Sequence, residues 1–102
     1  MTDCVFCKIL KGDIPSKFVY EDEYCFAIND INPKANKHIL VIPKEHIASL
    51  NEVDDPDLIK HLFLAIKNIT KKLSIKEFKT LINTGKSAGQ EVFHLHIHIL
   101  AD

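Results

Sequence analysis

"HLHIHIL", residues 94–100, sets three histidines at alternate positions with only aliphatic residues between them. Side chains alternate across an extended strand, so His94, His96 and His98 point one way and Leu95, Ile97 and Ile99 the other. Histidines two residues apart on such a strand lie about 6–7 Å from one another, close enough to grip one small anion. Imidazole changes charge nearest to neutral pH and can serve as nucleophile, proton donor, phosphate partner or metal ligand. Two chemistries therefore compete: a metal site, since His-x-His can present two nitrogens to zinc, and covalent chemistry at phosphorus. The stretch just before the triad bears on the choice. "NTGKSAGQE", residues 83–91, holds Gly85 and Gly89. Glycines let backbone N–H groups turn toward an anion, so this loop and the imidazoles together make a phosphate pocket.

Outward from the triad, the chain reads as short alternating elements. "VFCKIL" (5–10) forms a short first helix, stopped by "KGDIPS" (11–16) with its Gly12 and Pro15. "KFVYE" (17–21) and "YCFAIN" (24–29) are two strands about a tight turn at Asp22-Glu23. "HILVIP" (38–43) holds four consecutive aliphatics and is expected to be covered on both faces. A long helix follows, with Asp55 as N-cap, Pro56 at its first position and Lys71 and Lys72 near its end. Leu58, Leu62, Ile66, Ile69 and Leu73 form one apolar stripe at helical spacing, and Ile59, Phe63 and Leu64 widen it. One sheet face rarely covers so much, so a second subunit is expected on the outer stripe. "FKTLIN" (78–83) returns as a strand and "HLHIHILA" (94–101) is the last. The order implies one α+β domain over residues 1–102: a mainly antiparallel sheet, one long helix and a short N-terminal helix.

The chain has 102 residues, a formal charge of -1 and a pI near 6.6. That balance argues against non-specific affinity for nucleic acid or membrane surfaces. "MTDCVFCKIL" shows no basic stretch followed by an apolar run, so no export signal is expected. Three cysteines, an odd number, then read as reduced thiols or metal ligands in a cytoplasmic setting. "CVFC", residues 4–7, is by itself ambiguous between metal, redox and chance.

"HLHIHIL" resembles the His-φ-His-φ-His-φ-φ motif of the histidine triad (HIT) family of nucleotide hydrolases and transferases, and the resemblance runs over nearly the whole chain. "CKILKGDIPSKFVYEDEYCFAINDINPKANKHILVIPKEHI" is similar to the family's N-terminal half, and "LINTGKSAGQEVFHLHIHIL" to its C-terminal signature. The branch it resembles most is the Hint-like one, which acts as nucleoside phosphoramidases. That resemblance implies an α+β domain that dimerises into one continuous sheet. It implies His96 as the nucleophile toward the α-phosphorus, forming a nucleotidyl-histidine, and His98 as a donor to phosphate oxygens. It implies His38 as a further active-site histidine that orients the nucleophile. Asp30, with Ile31 beside it, is implied to accept the ribose hydroxyls. Asn83, Gly89, Gln90 and Glu91 are implied on the phosphate side, and Phe6, Ile9, Ile14, Ile28 and Leu40 around a purine. Catalysis in the family needs no metal; imidazoles and loop amides stabilise the transferring group. Two positions depart from the pattern: Lys37 stands where relatives often have Gly, and Glu91 where animal phosphoramidases often carry Ser.

The resemblance to microbial relatives with this C-x-x-C also implies a structural zinc on Cys4, Cys7, His46 and His94. Such a site staples the N-terminus to the sheet and adds to folding free energy. Three other functions compete: a dinucleoside polyphosphate hydrolase of the same family, a zinc hydrolase with His94, His96 and His98 on one catalytic ion, and a nucleotide-binding adaptor.

Overall fold

The computed structural model describes residues 3–102. Five strands form a single sheet: β1 (Phe18–Glu21), β2 (Cys25–Asn29), β3 (Lys37–Pro43), β4 (Lys79–Leu81) and β5 (Ile97–Ala101). Their order across the sheet is β1-β2-β3-β5-β4, and every neighbouring pair is antiparallel. β3 lies at the centre, and each residue from His38 to Pro43 is buried, as its run of aliphatics requires.

Two helices cover the two faces. α1 (Val5–Lys11) starts where the Cys4 thiol accepts from the Cys7 N–H and stops at Gly12, whose φ of 90° suits a residue without a Cβ. α2 (Pro56–Lys72) starts where the Asp55 carboxylate accepts from the Asp57 N–H at 2.9 Å. Leu58, Leu62, Ile66 and Ile69 of α2 pack on Ala27, Ile39, Val41, Ile97 and Ile99. On the opposite face Phe6 joins Phe26, Ile28, Leu40 and Ile42 in a smaller cluster. Burying each such Leu, Ile or Phe contributes about 1.5–3 kcal/mol.

The β1–β2 turn is held by one side chain. Asp22 accepts from the N–H groups of Tyr24 (2.7 Å) and Cys25 (2.9 Å) and from the Tyr20 hydroxyl (2.8 Å). Burial pushes the carboxyl's pKa up, but those hydrogen bonds outweigh it and hold it below the usual value. Cys25 is fully buried, and that burial pushes its thiol up to about 12, so it behaves as a small apolar residue.

Two expectations need adjusting. β5 begins at Ile97 rather than His94, because the Leu95 N–H donates to the Ile47 carbonyl (2.7 Å) outside the ladder. The alternation of side chains nevertheless holds: Leu95 lies in the α2-side core, while His94 and His96 meet Phe6 on the α1 side. β4 is three exposed residues, since it has a single partner strand. His61 is half-buried, and its ring stacks on Tyr24 with centroids 3.8 Å apart. Ile59, Phe63 and Leu64 stay exposed at 38%, 46% and 44%, an outer stripe that the sheet does not cover. No helix among the described residues is long and apolar enough to cross a membrane.

Candidate active site and metal centre

A cleft of ≈ 860 Å³ opens on the α1 side of the sheet. Of the residues singled out from the sequence, Phe6, Ile9, Ile28, Asp30, Ile31, His38, Leu40, Asn83, Gly89, Glu91, His96 and His98 line it. Ile14 and Gln90 do not. Gln90 is buried beneath the loop, where its Oε1 accepts from the Gly85 N–H (2.9 Å) and its Nε2 donates to the carbonyls of Ala48 (2.7 Å) and Val92 (3.0 Å). It braces the loop instead of facing the cleft. Gly89, at φ 98°, places its backbone beside the Asn83 side chain. Lys34, Phe78, Lys79 and Leu81 also line the cleft and were not singled out; their strand and loop reading carried no sign that they share one wall.

The hydrogen-bond pattern fixes where the imidazole protons sit. His96 Nδ1 lies 2.8 Å from the His94 carbonyl oxygen. A carbonyl only accepts, so Nδ1 carries the proton and Nε2 keeps its lone pair. His38 Nδ1 accepts from the Lys34 N–H (3.0 Å), so the neutral His38 ring is protonated on Nε2. That Nε2 donates to His98 Nδ1 at 2.8 Å. His98 must then carry its proton on Nε2, an atom that is buried and has no partner in the protein among the described residues. Burial, aided by the neighbouring His96 and His38 and opposed by the Asp30 carboxylate, lowers the His98 pKa to about 4. At neutral pH His98 is thus an uncharged N–H donor without an acceptor.

The expectation that His38 orients the nucleophile is not what the geometry gives. Its hydrogen bond goes to His98, its diagonal neighbour across the β3–β5 ladder, where His38 pairs with Leu100 and Leu40 with His98. His96 is placed instead by its own backbone and by the edge of Phe6, with ring centroids 5.2 Å apart.

At the N-terminal end of α1 four ligand-type side chains converge. Cys4 Sγ lies 3.2 Å from His94 Nδ1, and Cys7 Sγ lies 3.3 Å from His46 Nδ1 and 3.7 Å from His94 Nδ1. The four candidate donor atoms all fall within 4.8 Å of one another. His94 is fully buried, and its Nε2 donates to the Pro43 carbonyl at 2.8 Å, which leaves the Nδ1 lone pair facing the thiols. This donor set, two sulfurs and two imidazole nitrogens, fits a structural zinc.

Asp30, His38 and His98 form a second tight group. It is poorly suited to a metal, because the His38 Nδ1 lone pair is already engaged and Nε2 must keep its proton. The three histidines of the triad do not converge on one point either. His94 belongs to the cysteine group, His98 to the Asp30 group and His96 to neither. The alternative of a catalytic zinc held by all three has no geometric basis among the described residues.

Fold and site together define an α+β sheet domain in which His96 and His98, at the start of the last strand, share a cleft with Asn83 and Gly89 of the glycine loop. The HIT domain model matches residues 11–102, and the chain belongs to that family. It is 48% identical to Protein HitA of Neisseria gonorrhoeae over 98% of this chain and 96% of the relative. It superposes with a TM-score of 0.90 on a structure described as a HIT family hydrolase from Legionella pneumophila, at 39% identity over 97% of this chain and 92% of that one. A structure described as a histidine triad nucleotide-binding protein from Candida albicans gives a TM-score of 0.86 at 36% identity, over 95% and 73%.

Proposed function

We propose that the protein is a nucleotide hydrolase or transferase acting on purine nucleoside phosphoramidates or related mononucleotide derivatives, through a covalent nucleotidyl-histidine. The observation that carries this reading is the protonation pattern of the triad. His96 is held with a bare Nε2 in the cleft, and an unpartnered His98 N–H stands beside it, with ring centroids 5.1 Å apart. A lone pair beside a preorganised donor is what in-line attack on phosphorus needs. The family resemblance, a relative described as a hydrolase and another described as nucleotide-binding support it.

In the first step His96 Nε2 forms a bond to the α-phosphorus, the P–N or P–O bond to the leaving group breaks, and the leaving group takes up a proton from solvent water. His98 Nε2–H donates to a phosphate oxygen. In the second step water attacks the nucleotidyl-histidine and gives up a proton to solvent, the N–P bond breaks and its electron pair returns to His96 Nε2, and the mononucleotide departs. Phe6, Ile9, Ile28 and Leu40 form the apolar slot for the base, and Asp30 with Ile31 holds the ribose end. Glu91 lies on the leaving-group side; as a carboxylate it accepts hydrogen bonds and does not donate them. Turnover of an adenosine phosphoramidate that disappears in His96→Ala is the expected result. Full turnover by that variant overturns the reading.

Two further features belong to this proposal. Cys4, Cys7, His46 and His94 hold a structural zinc, which when bound ties α1 to the segment before β5. The exposed stripe of α2 and the β4 edge meet a second copy of the chain, making a homodimer. The reduced thiols this requires suit a cytoplasmic enzyme.

A further inference from the structure

We infer that Asp30 is a positioning residue for the phosphate-side histidines as well as a partner for the ribose. This rests on the nucleotide reading above and deepens it. Asp30 stands at the end of β2, and its two carboxylate oxygens have different neighbours. Oδ1 accepts from the Asn32 N–H at 2.9 Å, which fixes the rotation of the carboxylate. Oδ2 is thereby aimed at His38 Nε2, 3.3 Å away.

The His38 Nε2–H is the middle link of a chain: Lys34 N–H to His38 Nδ1, His38 Nε2–H to His98 Nδ1, and His98 Nε2–H into the cleft. Its proton goes to His98 Nδ1 at 2.8 Å, while the Asp30 Oδ2 charge stands 3.3 Å from the same nitrogen. The acceptor on His98 and the carboxylate charge beside Nε2 both favour the same tautomer of His38, and that tautomer dictates the tautomer of His98. The His38 side chain is 3% exposed and that of Asp30 19%, so solvent does little to screen this contact. The carboxylate's pull on the pair is felt as far as His98, whose charged form it favours. A ribose hydroxyl bound to Asp30 would draw on the same oxygen. Recognition of the sugar and the donor aimed at phosphate thus share one carboxylate.

Asp30→Asn separates the two roles. The amide oxygen can keep the Asn32 N–H, which turns the NH2 toward His38 Nε2–H and sets a donor against a donor. The substrate that isolates the effect is a phosphoramidate of 2′,3′-dideoxyadenosine, which has no hydroxyl for Asp30 to hold. On it, Asp30→Asn is expected to lower kcat by about ten- to a hundredfold relative to the unmodified protein, with a much smaller change in KM. Equal kcat for the two proteins on that substrate would mean that Asp30 only holds ribose, and the inference would be overturned. Nitrogen-15 NMR of the imidazoles gives a readout that needs no turnover. The unmodified protein should show His38 and His98 both protonated on Nε2, and Asp30→Asn should lose that order while the amide spectrum stays folded. Unchanged tautomers in the variant overturn the inference even if the enzyme proves to act on some other substrate. Absence of turnover by the unmodified protein on any phosphoramidate, with the tautomers shifting as described, would instead overturn the proposed function and leave the positioning role standing.

Discussion

His96 and His98 are two residues apart and carry their protons on opposite nitrogens. The cause is local: His96 donates to a backbone carbonyl two residues back, whereas His98 accepts from a side chain on the neighbouring strand. The alternation of the three histidines was plain in the sequence, because it follows from strand geometry alone. The tautomers were not, because they depend on which carbonyl and which partner strand lie beside each ring. Replacing His96 by Ala should lower kcat/KM for a phosphoramidate by about three orders of magnitude or more, as for other covalent nucleophiles. For His98, NMR titration should place the midpoint near 4, well below the ordinary value of 6.5. An ordinary midpoint would show that the ring is neither buried nor hydrogen-bonded as described. The depressed pKa also sets a sign for stability. Between 6.5 and about 4 the unfolded chain binds a proton at this residue that the native ring does not. The contribution is therefore full above pH 6.5 and declines as pH falls toward 4. Urea midpoints should drop over that window, and less so in His98→Asn.

At the scale of elements, the loop 83–91 is built around Gln90. The resemblance placed this residue among the phosphate contacts, and only the three-dimensional fold reveals that its amide is spent on Gly85, Ala48 and Val92. Sequence spacing cannot distinguish a loop side chain that faces a ligand from one that faces inward. Gln90→Ala leaves those backbone groups without partners, and equilibrium denaturation should show a loss of about 2–3 kcal/mol. Lower activity should accompany it, since Asn83 and Gly89 ride on the same loop. The β1–β2 turn was legible from "EDEY", but the grip of Asp22 on two N–H groups and the Tyr20 hydroxyl was not. Because its native pKa is lowered, Asp22 contributes stability above the ordinary carboxylate range and loses it as pH falls through the native value. Asp22→Ala should cost about 1–3 kcal/mol at pH 7 in the same measurement. Helix α2 was the easiest element to foresee. Its Asp55 cap, Pro56 and terminal lysines each match a known end preference, and all three are present as expected.

For the whole molecule, α1 links the two sites. Its Cys7 stands in the candidate metal-ligand group, while Phe6 and Ile9 form a wall of the cleft. On the proposed reading, chelation should therefore lower the thermal midpoint and weaken nucleotide binding together, because a zinc on these ligands would hold the helix whose Phe6 and Ile9 line the cleft. A chelated protein with an unchanged midpoint would remove zinc from the account. The outer stripe of α2 was visible in the sequence as an excess of apolar positions, and it remains uncovered by the protein's own sheet. Phe63→Glu should convert a dimer to a monomer in analytical ultracentrifugation. The extent of the cleft was hidden from the sequence, since Lys34, Phe78 and Leu81 reach it only through the strand order β3-β5-β4. The most direct measurement of the central claim is mass spectrometry of the protein quenched in alkaline denaturant milliseconds after mixing with an adenosine phosphoramidate. The account predicts one adenylyl group on the peptide containing residues 94–100, located at His96 and missing from His96→Ala. An adduct at any other residue, or rapid turnover with no adduct at any time, would contradict it.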